Sequence, residues 1–190
     1  MVMADAGCDV VMWGRRSALV EQIDRDHVNG DYLPSVTLPD AVRATTDPER
    51  AMHGADVVVL AVPSQTLRDN LTAWRPVLPE GADVVSLLKG VELGTTRRMS
   101  EVVQEVGGVP ASRVVVVSGP NLAGEIAQRQ PAASVVACVD HDTAERVAHA
   151  CATSYFRPYT GTDVVGTEAR RRGEERHRPG GRHGRRAGPR

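Results

Sequence analysis

The chain has 190 residues, enough for one well-packed domain and something beyond it, and carries a formal charge of −1. That near-neutrality hides two unlike parts: residues 1–168 hold 14 Lys and Arg against 22 Asp and Glu, whereas residues 169–190 hold nine Arg against two Glu. No stretch is long enough to span a membrane, and the N-terminus lacks the basic and apolar regions of a signal peptide. Cys8, Cys138 and Cys151 are odd in number and far apart, with no metal-ligand spacing, so they read as thiols of a cytoplasmic protein.

Met1 to Gly7 reads as the last turns of a helix closed by glycine, and residues 8–13 as a short strand. If these are the helix and second strand of a βαβ unit, the first strand and its glycine-rich phosphate turn are expected upstream, because no G-x-G-x-x-G opens this sequence. Gly14-Arg15-Arg16 ends the strand. In dinucleotide-binding units an acidic residue here holds the ribose 2′-hydroxyl, whereas Arg accommodates a 2′-phosphate. Two guanidiniums and no carboxylate favour NADP(H) over NAD(H), and the competing reading is a solvated basic turn.

Ser17 is placed to cap a helix running to about Asp26. Residues 27–41, with Pro34 and Pro39, read as an irregular surface loop, and residues 42–44 as a short strand. Asp47-Pro48 supplies the cap and first residue of a short helix that stops at Gly54. Residues 56–62 form an apolar strand ended by Pro63-Ser64, with Ser64 placed to cap the next helix. In that helix Leu67, Leu71 and Trp74 recur at helical spacing, as core residues do.

Residues 83–88 read as a further strand with Lys89-Gly90 just past its end. Lys89 is the only lysine, against 22 arginines, which fits a position that needs a compact ammonium; survival by chance is the alternative. A helix is expected around residues 95–106. Val114 to Val117, four consecutive β-branched residues, predict a strand buried on both faces. Ser118-Gly119-Pro120 stops it, and a helix is expected from Asn121. A strand at 133–139, a helix at 142–154 and a strand at 156–159 complete an α/β pattern with a mostly parallel sheet. Ligands of such sheets bind at the carboxyl ends of the strands, where helix N-termini present free N–H groups to anions. His27, His53, His141 and His149 fall in loops or on helix surfaces without partners at ligand spacing, and no metal is expected.

Trp13-Gly14-Arg15-Arg16, Tyr32-Leu33-Pro34, Ala61-Val62-Pro63-Ser64-Gln65, Lys89-Gly90-Val91-Glu92 and Ser118-Gly119-Pro120-Asn121-Leu122-Ala123-Gly124-Glu125 together resemble bacterial NAD(P)-dependent glycerol-3-phosphate dehydrogenase. Tyr155 to Thr160 and Asp163 to Glu168 continue the resemblance, which runs from about Ala4 to Glu168. Each motif alone is weak, and it is their order and spacing together that is specific. The resemblance implies a Rossmann-like sheet with helices on both faces, here without the first strand and the C-terminal helical domain. It implies hydride transfer between NAD(P)H and dihydroxyacetone phosphate or sn-glycerol 3-phosphate, in phospholipid synthesis. By the same resemblance Arg15, Arg16, Pro63, Lys89 and Ala123 contact the cofactor, NADP(H) with NAD(H) as the alternative. Lys89, Gly119 and Asn121 contact the substrate. The partners implied are small molecules, not nucleic acid or membrane, with a homodimer allowed at full length.

The sequence departs from the family after Glu168. The family's general-base lysine lies in a G-G-A-x-K-N run, and Ala169 to Glu175 stand in its place, so no catalytic residue is assigned. Residues 169–190 contain no Leu, Ile, Val, Met or aromatic residue and read as a disordered Arg-rich tail. One reading is a basic arm for nucleic acid. The other is a shifted reading frame. Synonymous codons for Ala169 to Arg190 exist that, read one base later, encode LGGAGKNVIALAVGMAAGLGL, an apolar helix carrying the lysine run in register after Glu168. The frame shift is the favoured reading, and an inactive chain or a non-catalytic nucleotide-binding fragment is what it leaves. The gene's nucleotide sequence is expected to encode G-G-A-x-K-N in the shifted frame; a tail that ends in its own stop with no such coding capacity establishes the basic arm instead.

Overall fold

A computed structural model describes residues 1–174. The chain starts with a short helix, α1 (Val2–Asp5), that ends ahead of Gly7, whose φ of 97° only glycine adopts freely. Strand β1 (Val10–Trp13) and helix α2 (Ser17–Asp26) follow. Ser17 is the first helical residue rather than the cap; Arg16 holds the cap position without a side-chain hydrogen bond. Residues expected to form an irregular loop instead make a small antiparallel hairpin of β2 (Val28–Asn29) and β3 (Leu33–Thr37). Pro34 suggested a loop, yet in a two-stranded hairpin every strand is an edge, where proline is tolerated.

Strand β4 (Val42–Thr45) then pairs in parallel with β1, Val10 opposite Val42 and Trp13 opposite Thr45. Asp47 caps α3 (Pro48–Met52) as expected, its carboxylate accepting the Glu49 N–H at 2.9 Å. The main sheet begins at β5 (Val57–Leu60), and a 3₁₀ turn at Ser64–Thr66 leads into α4 (Leu67–Trp74). Strand β6 (Asp83–Ser86), α5 (Met99–Gly107), β7 (Val114–Ser118) and α6 (Ala123–Ala127) come next. The described chain closes with β8 (Ala132–Ala137), α7 (His141–Cys151), β9 (Phe156–Gly161) and α8 (Val164–Glu174).

Strands β5, β6, β7, β8 and β9 lie side by side in that order. The first three are parallel, β8 runs antiparallel to β7, and β9 is parallel to β8. The reversal at β8 has a simple cause. The five residues of α6 rise only about 8 Å, too little to carry the chain back along a strand of roughly 17 Å. The chain therefore re-enters the sheet at the end where β7 left it.

Alternate valines serve the two faces. Val58, Leu60, Val84 and Val114 pack against Leu67, Leu71 and Trp74 of α4 and Met99, Val102, Val103 and Val106 of α5. Val85, Val115 and Val136 pack against Ala144, Val147 and Cys151 of α7 on the other. Helix α8 joins through Val164, beside Val116 and Ala137, and through Glu168, which is 8% exposed. The Glu168 carboxylate accepts the Ser100 N–H at 3.0 Å and the Ser100 hydroxyl at 2.6 Å, with Arg98 at 3.3 Å. This anchors α8 to the first turn of α5.

The boundary expected at Glu168 falls inside α8, because Ala169 and the arginines after it are good helix formers that extend an anchored helix. The rest of the tail, 175–190, lies outside the described residues, and so does the disorder expected there. The three cysteines are free, and burial pushes the Cys151 thiol up to about 11. No helix among the described residues is long and apolar enough to cross a membrane.

The parallel β1–β4 pair and the five-stranded sheet are not hydrogen-bonded to each other. β1 pairs only with β4, and β5 only with β6, so each has an unpaired edge among the described residues. Val11, Met12 and Val59 on these strands are exposed. Leu71, with no exposure to solvent, sits where α4 meets α5. Leu71→Ala is expected to lower stability by about 2–5 kcal/mol, read from urea unfolding followed by circular dichroism.

Candidate functional site

The parallel strands β5, β6 and β7 bring three β-turn junctions to one edge of the sheet. At the end of β5, Pro63 is exposed, and its carbonyl accepts the Thr66 hydroxyl at 2.8 Å, which tightens the turn into α4. Ser64, expected to cap that helix, makes no capping hydrogen bond and opens the 3₁₀ turn instead. At the end of β6, Leu88 is buried while Lys89 and Gly90 are exposed, Gly90 with φ 86°. No hydrogen bond or ion pair engages the Lys89 ammonium among the described residues.

Gln65 ties these two junctions together. Its amide donates to the Val91 carbonyl at 2.8 Å, and its side-chain oxygen accepts the Leu93 N–H at 2.9 Å. Sequence reasoning quoted Gln65 within a motif but gave it no part. The structure makes it the staple between the Pro63 turn and the Lys89 loop. Further along that loop Glu92 accepts two hydrogen bonds from Arg68 of α4, at 2.8 and 2.9 Å, and another from the Thr95 hydroxyl. Arg68 and Arg97 both reach Glu105 of α5, at 3.1 and 2.9 Å.

At the end of β7 the expected helix start moves from Asn121 to Ala123, with Leu122 as the cap residue. Asn121 is turned to other use: its amide donates to the Ser134 hydroxyl of β8 at 2.5 Å. Gly119 lies beneath this contact. A Cβ there would meet the Ala133 carbonyl oxygen at 2.5 Å and the Ser134 hydroxyl at 2.6 Å. No other residue fits without moving the β7–β8 backbone. Ala123 is exposed at the start of α6, and α6 in turn packs near β3 of the hairpin.

Arg15 and Arg16 form a second group at the end of β1. The Arg15 guanidinium lies 6.0 Å from the Trp13 ring, and that of Arg16 lies 5.5 Å from the Tyr32 ring. Arg16 also pairs with Asp31 at 2.6 Å. The expectation of two guanidiniums without a carboxylate therefore needs correcting. The β2–β3 turn brings a carboxylate from 15 residues further along the chain, and reading residues 27–41 as a structureless loop concealed it.

A metal site is a weaker prospect. One ligand atom each of His141, Asp142 and Glu145 lies within 4.8 Å of the others on the first turns of α7, which corrects the expectation that His141 has no partner at ligand spacing. All three are exposed, and His141 Nδ1 sits 3.5 Å from Glu145, the ordinary contact of an i,i+4 pair.

A parallel sheet with glycine-bearing junctions and positive side chains at the carboxyl ends of its strands defines an α/β domain of the Rossmann kind. Its relatives make the class specific. The model of the NAD-dependent glycerol-3-phosphate dehydrogenase N-terminus matches residues 1–144, and the chain belongs to this family. Over 168 residues it is 60% identical to glycerol-3-phosphate dehydrogenase [NAD(P)+] of Streptomyces griseus, covering 88% of this chain and 50% of that one. The corresponding protein of Thermobifida fusca is 58% identical over the same length, with the same coverage. The crystal structure of glycerol-3-phosphate dehydrogenase from Coxiella burnetii superposes with a TM-score of 0.80 at 29% identity, covering 88% of this chain and 50% of that one. The chain thus spans about half the length of these relatives.

The loop that carries Lys89 has a charge-dependent hold. Arg68, with help from Thr95, pulls the Glu92 carboxyl down to about 2 from the ordinary 4.5. A carboxyl depressed in the folded state stabilises above its unfolded value, and the effect fades as pH falls from about 4.5 toward 2. Protection from hydrogen exchange at Leu93 and Arg97, taken relative to the intrinsic rate at each pH, is expected to fall across that window. Glu92→Gln is expected to show lower protection at neutral pH and no further loss of protection across the window.

Proposed function

We propose that this chain is the cofactor half of an enzyme that passes hydride between a nicotinamide dinucleotide and C2 of a three-carbon phosphate ester. The pair in question is dihydroxyacetone phosphate and sn-glycerol 3-phosphate, feeding glycerophospholipid synthesis in the cytoplasm. The carrying observation is the exposed Lys89 just past β6, whose ammonium has no hydrogen bond or ion pair among the described residues and whose loop Gln65 ties to the Pro63 turn through Val91 and Leu93. A cation there suits a phosphate ester and the alkoxide that develops during reduction of a ketone.

The residues present fit a dinucleotide over part of its length. Arg15 and Arg16 would hold the adenosine end, their two guanidiniums suiting the 2′-phosphate of NADP(H), with the Asp31 carboxylate paired to Arg16 working against that preference. Pro63 would lie along the nicotinamide half, with Ala123 beside the cofactor. When bound, the dinucleotide supplies or takes up the hydride. Lys89 would neutralise phosphate or alkoxide, and Gly119 and Asn121 would line the substrate.

We assign no proton donor for the reduction of a ketone among the described residues. In the family that role falls to a lysine just past the segment like Gly166-Thr167-Glu168, where this chain has Ala169 and a run of arginines. We read residues 169–190 as out-of-frame coding and the chain as a nucleotide-binding fragment without turnover. A missing general acid–base alone costs about 10²–10⁴-fold.

Titrating NADPH fluorescence with the protein tests this. Saturable binding is expected, weakened about threefold or more in Lys89→Ala, with no steady NADPH oxidation on adding dihydroxyacetone phosphate. Absence of binding overturns the nucleotide reading, and steady oxidation overturns the reading of an inactive chain.

A further inference from the structure

We propose that Asp31 is a specificity-determining residue: it lets the adenosine end accept a free ribose 2′-hydroxyl and weakens its preference for a 2′-phosphate. The inference rests on the reading of Arg15 and Arg16 as that end. Asp31 Oδ2 lies 2.6 Å from Arg16 Nη1, and both side chains are 55% exposed, so the pair is open to exchange with a ligand. Arg16 is further held over the Tyr32 ring, which is itself 70% exposed.

The position of Asp31 is built rather than incidental. It sits in the turn between β2 and β3, where the Tyr32 N–H donates to the Asn29 carbonyl at 3.3 Å. The Gln22 side-chain oxygen on α2 accepts the adjacent Gly30 N–H at 3.1 Å. At the base of the hairpin the Leu38 N–H donates to the His27 carbonyl at 2.8 Å. The helix that follows the arginine turn thus fixes the loop that brings the carboxylate back to it.

The consequences for the two ligand forms are opposite. A ribose 2′-hydroxyl can donate to a carboxylate, which is how acidic residues select the unphosphorylated dinucleotide. A 2′-phosphate meets Arg15 and Arg16 favourably but must take Arg16 from Asp31 and sit near a like charge. Arg16 and Asp31 together therefore form a dual site, in which the pair stays closed over one ligand and opens for the other.

Calorimetric titration of the protein and its Asp31→Asn variant with adenosine 2′,5′-bisphosphate and with adenosine 5′-monophosphate tests this. Both probes engage only the adenosine end. The variant keeps the shape of an exposed turn residue, and its circular dichroism is expected to be unchanged. The affinity ratio of bisphosphate over monophosphate is expected to rise about fivefold in the variant, and the gain to shrink at high salt. Asp31→Glu is expected to retain most of the original ratio. An unchanged ratio in Asp31→Asn, with both nucleotides binding, overturns the role of Asp31 alone. Failure of both nucleotides to bind either protein overturns the adenosine-end reading, and this inference with it.

Discussion

Val57 sits opposite Asp83 and Val84 opposite Val114, so three parallel strands run in one direction and their junctions emerge together. That register depends on covering both faces, since a parallel sheet exposed on either side would leave its valines in water. The alternation of Val84, Val85, Val114 and Val115 between α4–α5 on one face and α7 on the other meets this demand. Only because the sheet is clamped from both sides do Pro63, Lys89 and Gly119 arrive at one edge. The site is a consequence of strand direction before it is a set of side chains.

Polar contacts then refine what the sheet supplies. Gln65 joins the first two junctions through two backbone hydrogen bonds, and the Arg68–Glu92–Thr95 group keeps the loop beyond them on α4. Asn121 and Ser134 lock the third junction to the antiparallel strand that follows it. Each contact reaches a loop through a side chain on a neighbouring element, which leaves the Lys89 ammonium uncommitted among the described residues. A charge spent in a structural ion pair would be of less use to an incoming anion.

The strands were legible because apolar runs such as Val114 to Val117 have one physical use in a chain of this composition. Helix cores were legible too: Leu67, Leu71 and Trp74 recur at the spacing of one face and are all buried. Local chemistry was read less well. Ser17, Ser64 and Asn121 were given capping or starting roles from residue type alone, yet Arg16, Thr66 and Leu122 occupy the cap positions before α2, α4 and α6. The hairpin at 28–37 went unseen because its strands are short and one contains proline. With it went Asp31, whose importance depends on a turn and not on any neighbour in sequence.

The same hairpin shows why net charge near a site says little about selectivity. Arg15 and Arg16, counted alone, argue for a phosphate. Counted with Asp31, they describe one guanidinium stacked near Trp13 and another shared between a carboxylate and Tyr32. An exposed ion pair of this kind contributes little to stability, so its effect is better sought in the choice of ligand. A site that must tell one phosphate from one hydroxyl gains discrimination from groups that favour each, placed where only one can be satisfied at a time.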